Sequence, residues 1–498
     1  MLNKSSIILD RRKLNIFDND VPALPDVIQK RREVLDLEKY MITLPDAIAG
    51  ICLEVSGNID KVKFINAVKK LRNHFPILNS KLNLNERDRA YYEEIQIDFQ
   101  ANIINRESDE TWRIILQDEW KKPFSLEDGP LSRFILIHSE TRSEIIFIGH
   151  HTIIDGFGVN RLMVLLLQFI NNPGMKFEKK ANEPLPSLEN LKNHRPKLSP
   201  WILIKRGFES YFYAYLKNLW RLTRLSIGEE EFKEYSDIFY KNYTYVWADD
   251  QLNEEETVNI YRICKEHNVT INSVLTVAYM RSRLEFGIEY ENNRQQLCVD
   301  LRRHLEKETQ NVLTSFASSI DTNFVYDESK SFWENTKVYH NIIMKQLKEN
   351  NDVEKAFALS KIPLSFLRSI AFSQRIQTVP DDYKNLKNFK KLGPKSFHVS
   401  AIVGRYMIKT TPSICLTNMG VGRYTNQYGD LKIENCVLFP SAILHPFSVL
   451  LASITVNKKL GYTINAMKRN DGIYKDFDAQ FDRLKKRFKE FLTKDIYY

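Results

Sequence analysis

The sequence predicts an α/β protein of mixed sheets built in two portions, from three observations. The chain has 498 residues, more than one hydrophobic core usually organises, so two domains or two subdomains sharing an interface are expected. Strand-like and helix-like runs alternate both in the first third and again from about residue 246, the pattern of α/β layers. Between them, residues 172 to about 200 are polar, proline-bearing and weakly periodic, as a linker is. The expected organisation is 1–175, a connecting region 176–245, and 246–498.

In the first portion, IAGICLEVSG is β-branched and apolar like a strand, and NIDKVKFINAVKKLRNHF sets Val62, Ile65, Val68 and Leu71 at helical spacing. PILNSKLNL alternates like a strand, and TWRIILQDEWKKPF reads as a helix. SRFILIHSE (132–140) and SEIIFIGHH (143–151), joined by a tight link at Glu140–Thr141–Arg142, predict a hairpin. GVNRLMVLLLQFINN follows as a largely buried helix. HHTIIDGFG (150–158) is therefore a strand-to-helix turn, a place from which side chains project beyond a sheet.

WILIKRGFESYFYAYLKNLWRLTR (201–224) mixes aromatic residues, among them Trp201, Phe208, Tyr215 and Trp220, with Lys205, Arg206, Lys217, Arg221 and Arg224. Such a mixture suits a helix in a membrane interface; the plainer reading is an amphipathic helix packed on the body. In the last portion, NEEETVNIYRICKEHN has an acidic first turn, which favours a helix start, and TINSVLTVAYMRSRLEF is a more buried helix. RQQLCVDLRRHL begins as a strand. LTSFASSIDTNF, YMIKTTPSICLTNMG and LLASITVNKKLGYTINAM have strand character, the last with a turn at Asn457–Lys458–Lys459. Phe477, Phe481, Leu484, Phe488 and Phe491 share one helical face, with Lys485, Lys486 and Arg487 on its wet side.

Composition removes several classes. Hydrophobic residues make up 43% and charged residues 27%, which is the balance of a folded chain rather than a disordered or fibrous one. The net charge of +9 is a small excess of 72 basic over 63 acidic residues; without a concentrated basic stripe or a recognition module it argues against nucleic-acid binding. It fits mild attraction to anionic ligands or membrane surfaces. The five cysteines are scattered without a C-x-x-C pair, the usage of reduced thiols in a cytoplasmic protein. The opening MLNKSSIILDRRKLNIFDND has too short an apolar run for a signal peptide, and no stretch is long and apolar enough to span a bilayer. P-loop, complete G-x-G-x-x-G, G-x-S-x-G and H-E-x-x-H motifs are all missing.

Three chemistries compete for His150, His151 and Asp155. A metal site needs a further ligand from elsewhere, and adjacent histidines tend to diverge, so no ion is favoured and no metal is expected. Asp155 fits the cap of the helix beginning near Gly156, with the histidines as plain turn residues. The same residues also fit acid–base work. A neutral imidazole can accept a proton from a hydroxyl or amine attacking a carbonyl, while small Gly156 admits a substrate and offers an N–H to a developing oxyanion.

HHTIIDG resembles the H-H-x-x-x-D-G motif of the CoA-dependent acyltransferase superfamily, which includes chloramphenicol acetyltransferase, the condensation domains of nonribosomal peptide synthetases and the alcohol acetyltransferases. KLRNHFPILNSKL (70–82), VTINSVLTVAYMRS (269–282), CVDLRRHL (298–305) and LTNMG (416–420) are similar to further family segments in the family's order. The resemblance covers about residues 40 to 465. It implies two chloramphenicol-acetyltransferase-like subdomains in pseudo-symmetric arrangement, with a tunnel between them in which donor thioester and acceptor meet. It implies His151 as general base, His150 as a supporting neighbour, Asp155 as structural support paired with Arg302, and Thr417 and Asn418 along the tunnel. It also implies no bound cofactor: acyl-CoA, or an acyl-carrier thioester supplied in trans, is a co-substrate, and the acceptor is an alcohol or an amine. The expected function is an O-acyltransferase, with a lipid or long-chain alcohol as a candidate acceptor and peripheral membrane contact through 201–224. The rivals are an amide-forming condensation enzyme, a catalytically silent carrier- or acyl-binding module, and a protein that binds no thioester.

Overall fold

Two six-stranded mixed sheets carry the architecture of the computed structural model, which describes residues 31–43, 47–84, 88–96, 102–177, 185–196, 214–223, 225, 227–284, 292–306, 312–440, 448–471 and 476–497. The first sheet runs Gln427–Tyr428, Leu431–Leu438, Ile48–Ser56, Arg142–His150, Ser132–His138, Asn102–Asn105. Only its last pair is parallel. The second runs Ala317–Asn323, Arg294–Asp300, Ile414–Val421, Val449–Val456, Lys459–Arg469, Tyr243–Gln251. Ile414–Val421 lies parallel to both neighbours and the outer pairs are antiparallel. A small antiparallel sheet joins Arg31–Glu33, Tyr91–Glu94 and Ser80–Asn83.

Local chemistry explains most of these elements. Ile48–Ser56 and Arg142–His150 are buried along almost their whole length, as near-continuous apolar runs in the middle of a covered sheet are. Asn457 and Lys458 both take positive φ, +50° and +62°, the two-residue turn whose twist suits a hairpin. Asn253 and Glu256 form a reciprocal capping box on the helix Glu254–Glu266.

Several expectations change. In the helix Lys61–His74 the buried stripe is Phe64, Ala67, Val68 and Leu71, while Val62 is 63% exposed; the i, i+3, i+4 face begins two residues later than the Val62 phase. PILN is a 3-10 turn, Pro76–Asn79, because Pro76 at its start cannot donate to a ladder, and only Ser80–Asn83 is strand. YMIKT ends a helix, Val399–Thr410, and the strand starts at Ile414 after Pro412. Of 201–224, residues 201–213 and Arg224 lie outside the described residues; 214–223 are helical.

The sheets do not divide at residue 246. Leu431–Leu438, from the last portion, hydrogen-bonds to Ile48–Ser56 in the first sheet. In return, the helix Thr111–Trp120 docks on Tyr243–Gln251 at the edge of the second. There Arg113 grips Asp249 with two bonds of 3.1 and 2.7 Å, and Trp120 packs on Tyr245 and edge-on to Trp247, each aromatic pair contributing about 0.5–1.5 kcal/mol beyond its area.

Candidate active site

The strand Arg142–His150 ends at the motif, and backbone bonds fold the chain away from the sheet. His151 N–H donates to the Ala47 carbonyl at 2.6 Å and Ile153 N–H to the His150 carbonyl at 3.0 Å. Ile153 and Ile154 point into the core, which pins the turn between strand and helix. The two histidines diverge. His150 is fully buried, edge-on to Phe124, and its Nδ1 accepts the Thr152 N–H. His151 is half-buried, with Nδ1 3.4 Å from Ser315 Oγ, the outer limit of a hydrogen bond.

Burial of the ring pushes the His151 pKa below the ordinary imidazole value, although the Asp155 carboxylate and the residue's own backbone pull it upward. Desolvation disfavours the charged form, so the imidazole is neutral at neutral pH. Asp155 serves as cap and ion-pair partner at once, so these two roles do not exclude each other. Its Oδ1 accepts the Gly158 N–H at 3.1 Å, capping the helix Gly156–Asn171. Its Oδ2 accepts Arg302 Nη1 at 2.6 Å and the Phe316 N–H at 2.9 Å. Arg302, 2% exposed, sits in the 3-10 turn Leu301–His304 that ends a strand of the second sheet. It donates on to the Thr314 carbonyl at 2.9 Å and to Asp300 at 3.2 Å. The pair therefore bolts the motif turn to the second sheet.

Three consecutive residues that sequence inspection passed over complete this shell: Thr314, Ser315 and Phe316. Thr314 Oγ1 donates to Glu38 Oε1 at 2.5 Å, and Glu38, fully buried, accepts Arg32 Nη2 at 2.9 Å and Nη1 at 3.1 Å. LTSF carries no periodic or motif signal for this. Met419 was missed as well. The Gly156 expectation changes with it: the space above the Gly156 Cα is filled by Met419, whose Sδ a Cβ there would strike. Thr417 and Asn418 lie half-buried on Ile414–Val421. Asn418 donates to Asn272 Oδ1 at 2.5 Å and accepts the Gly420 N–H at 2.8 Å. The five cysteines are free, but folding brings Cys298 and Cys415 to 3.6 Å, sulfur to sulfur. Among the described residues no group of three or more His, Cys, Asp or Glu is placed to hold a metal, and no helix is long and apolar enough to cross a membrane.

With this geometry in hand, residues 28–188 match the family model of the condensation domain. In structure the chain is similar to polyketide synthase associated protein 5 from Mycobacterium tuberculosis, with a TM-score of 0.57 at 11% identity, covering 93% of this chain and 98% of that one. It is similar to the TRI3 trichothecene 15-O-acetyltransferase from Fusarium sporotrichioides, TM-score 0.57, 11% identity, covering 94% and 97%. It is also similar to the first condensation domain of the calcium-dependent antibiotic synthetase, TM-score 0.56, 12% identity, covering 93% and 96%. No curated protein matches in sequence. The chain has the fold of these three structures, and its motif lies within the segment that matches the family model.

Proposed function

We propose that this protein transfers an acyl group from a coenzyme A or carrier-protein thioester to an alcohol hydroxyl, with His151 as general base. The single observation that carries it is a half-buried imidazole at the end of a central strand, its loop bolted to the second sheet by Asp155 and Arg302. The acetyltransferase and condensation domains of the same fold support the acyl-transfer chemistry.

For Nε2 to accept a proton, Nδ1 carries one and donates it, to Ser315 Oγ or to the residue's own carbonyl. The acceptor oxygen attacks the thioester carbon while its proton passes to Nε2, and the C–O bond forms as the carbonyl becomes an oxyanion. Collapse of that intermediate breaks the C–S bond, and the departing thiolate takes the proton back. A positioned base contributes about 10²–10⁴ in rate. Thioesters are already activated, so positioning and one base suffice without a covalent intermediate. Gly156 N–H, at a helix start, is the proposed oxyanion donor.

Product analysis by mass spectrometry tests the proposal, using a mixed panel of alcohols and amines with acyl-CoA and acyl-carrier donors. Ester formation that collapses in His151→Ala is the expected result. Amide formation alone would transfer the assignment to a condensation enzyme, and tight donor binding without turnover to a silent module.

A further inference from the structure

The geometry points to a membrane-docking face formed by the outer side of the helix Val399–Thr410, the residue Phe397 before it and the adjoining helical segment 214–223, which seats the protein on an anionic bilayer surface. The inner side of Val399–Thr410 is fully used. Ser400 Oγ lies 2.7 Å from Ser369 Oγ, and Gly404 abuts Ser373 on the helix Leu364–Ile376. The outer side is nevertheless apolar. Ile402 and Tyr406, one turn apart, are 46% and 67% exposed, and Phe397 is 91% exposed. Phe397 precedes the cap residue His398 and Ile402 is the fourth helical residue, so both lie at the start of this helix.

The neighbouring segment extends the same face. His398 Nε2 lies 2.8 Å from the Thr223 carbonyl, and Trp220, fully buried, stacks on Phe366 with His398 edge-on. This packing fixes 214–223 to the body and leaves Leu222, the residue before Thr223, 83% exposed. Tyr215, seven residues earlier and so on the same helical side, is also exposed. Large exposed apolar side chains elsewhere in the described residues are scattered and mostly single, which is ordinary; a converging group marks an interaction surface.

Charge selects the occupant. Residues 384–411 hold seven lysines and arginines and no aspartate or glutamate, in a chain where the two signs are otherwise nearly balanced. Lys391, Lys395 and Lys409, close in sequence to the apolar group, are exposed. Protruding aromatic and aliphatic side chains rimmed by cations suit the headgroup and acyl boundary of an anionic leaflet. A site for a folded acidic protein is less well matched, since Phe397 stands out from the surface rather than lining a recess. The inference does not depend on the acyl-transfer proposal, because docking is read without turnover.

Sedimentation of the full chain with phosphatidylcholine vesicles, with and without phosphatidylglycerol, tests it. The expected result is binding to the anionic vesicles that weakens with added salt. The triple substitution Phe397→Ser/Ile402→Ser/Tyr406→Ser is expected to weaken binding by at least about tenfold, with the melting midpoint retained because these side chains face solvent. Lys391→Gln/Lys395→Gln/Lys409→Gln is expected to abolish the preference for anionic vesicles. Should the triple variant fail to fold, Leu222→Ser on the adjoining segment reads the same face with a smaller loss. Absence of vesicle binding by the unmodified protein, binding unaltered in the variants, or capture of an acidic protein in place of vesicles would each overturn the inference.

Discussion

Replacing Arg302 with methionine perturbs the bolt between the two sheets while keeping most of the side chain's volume. Asp155 and Arg302 have side chains 5% and 2% exposed, so removing the guanidinium leaves a buried carboxylate short of its cation. Losing one partner of such a pair costs about 3–5 kcal/mol. Asp155 still accepts two backbone N–H groups, from Gly158 and Phe316, and these place the loss at the lower end, about 3 kcal/mol. Unfolding entropy of about 2.1 cal/mol/K per residue gives about 1 kcal/mol/K over 498 residues, and hence a fall of about 3 °C in the midpoint if the chain melts as one unit. Activity is expected to fall more steeply, since a displacement of about 1 Å in the turn that carries His151 costs on the order of 10² in rate. Scanning calorimetry and initial rates of acyl transfer measure the two effects. An Arg302→Met protein with both midpoint and rate unchanged would refute the claim that this pair holds the motif in place.

His151→Ala is expected to lower kcat by about 10²–10⁴ with an alcohol acceptor and less with an amine, which is nucleophilic without a base; steady-state kinetics on both acceptors checks this. Because burial lowers the His151 pKa, the active neutral form persists below the ordinary imidazole value. The acid limb of the kcat/KM profile is therefore expected to have its midpoint below about 6.5. The sign for stability is the same: the folded state resists protonation, so this residue's contribution is complete above the unfolded pKa and is lost as pH falls from there towards the folded value. Gly156→Ala is expected to push the flexible end of the Met419 side chain aside at a cost at or below the low end of the about 1–3 kcal/mol of overpacking, and pairing it with Met419→Ala should remove that clash in a thermal melt. Glu38→Ala leaves Arg32 buried without its carboxylate, with an expected cost of about 3–5 kcal/mol in denaturant unfolding.

The motif turn was legible because its signals are local: an apolar strand, a histidine pair and a capping aspartate within residues 143–155. Arg302 was legible only through resemblance, since nothing in CVDLRRHL itself points to a carboxylate 147 residues earlier. Ser315 and Phe316 were not legible at all. Their bonds to the motif cross 164 and 161 residues, and hydroxyl or backbone contacts leave no compositional trace. The strand Leu431–Leu438 failed for a related reason. Its pattern suits any half-buried strand, while its partner Ile48–Ser56 is fixed by topology. The helix Phe332–Lys348 is a different case: Ser331 and Glu334 form a capping box, so the signal was present and went unread.

The exchanged strand and the buried ion pair have complementary mechanical effects. Leu431–Leu438 is hydrogen-bonded into the first sheet, yet it follows Ile414–Val421 and precedes Val449–Val456 of the second, so the chain passes from one sheet to the other and back. Backbone pairing of this kind holds the two sheets in register without regard to side chains near His151. Asp155 and Arg302 act at one point, through side chains, and orient the turn within that frame. Met419 lies where the two meet, on the strand just before the exchange and against Gly156. A catalytic imidazole needs its ring held to within a fraction of an ångström by residues that are themselves locked. Strand exchange supplies coarse alignment over the length of a sheet, and the buried pair supplies the fine one. Substitutions at the exchange should therefore lower stability and activity together, whereas substitutions at Arg302 should reduce the rate well beyond the loss in stability.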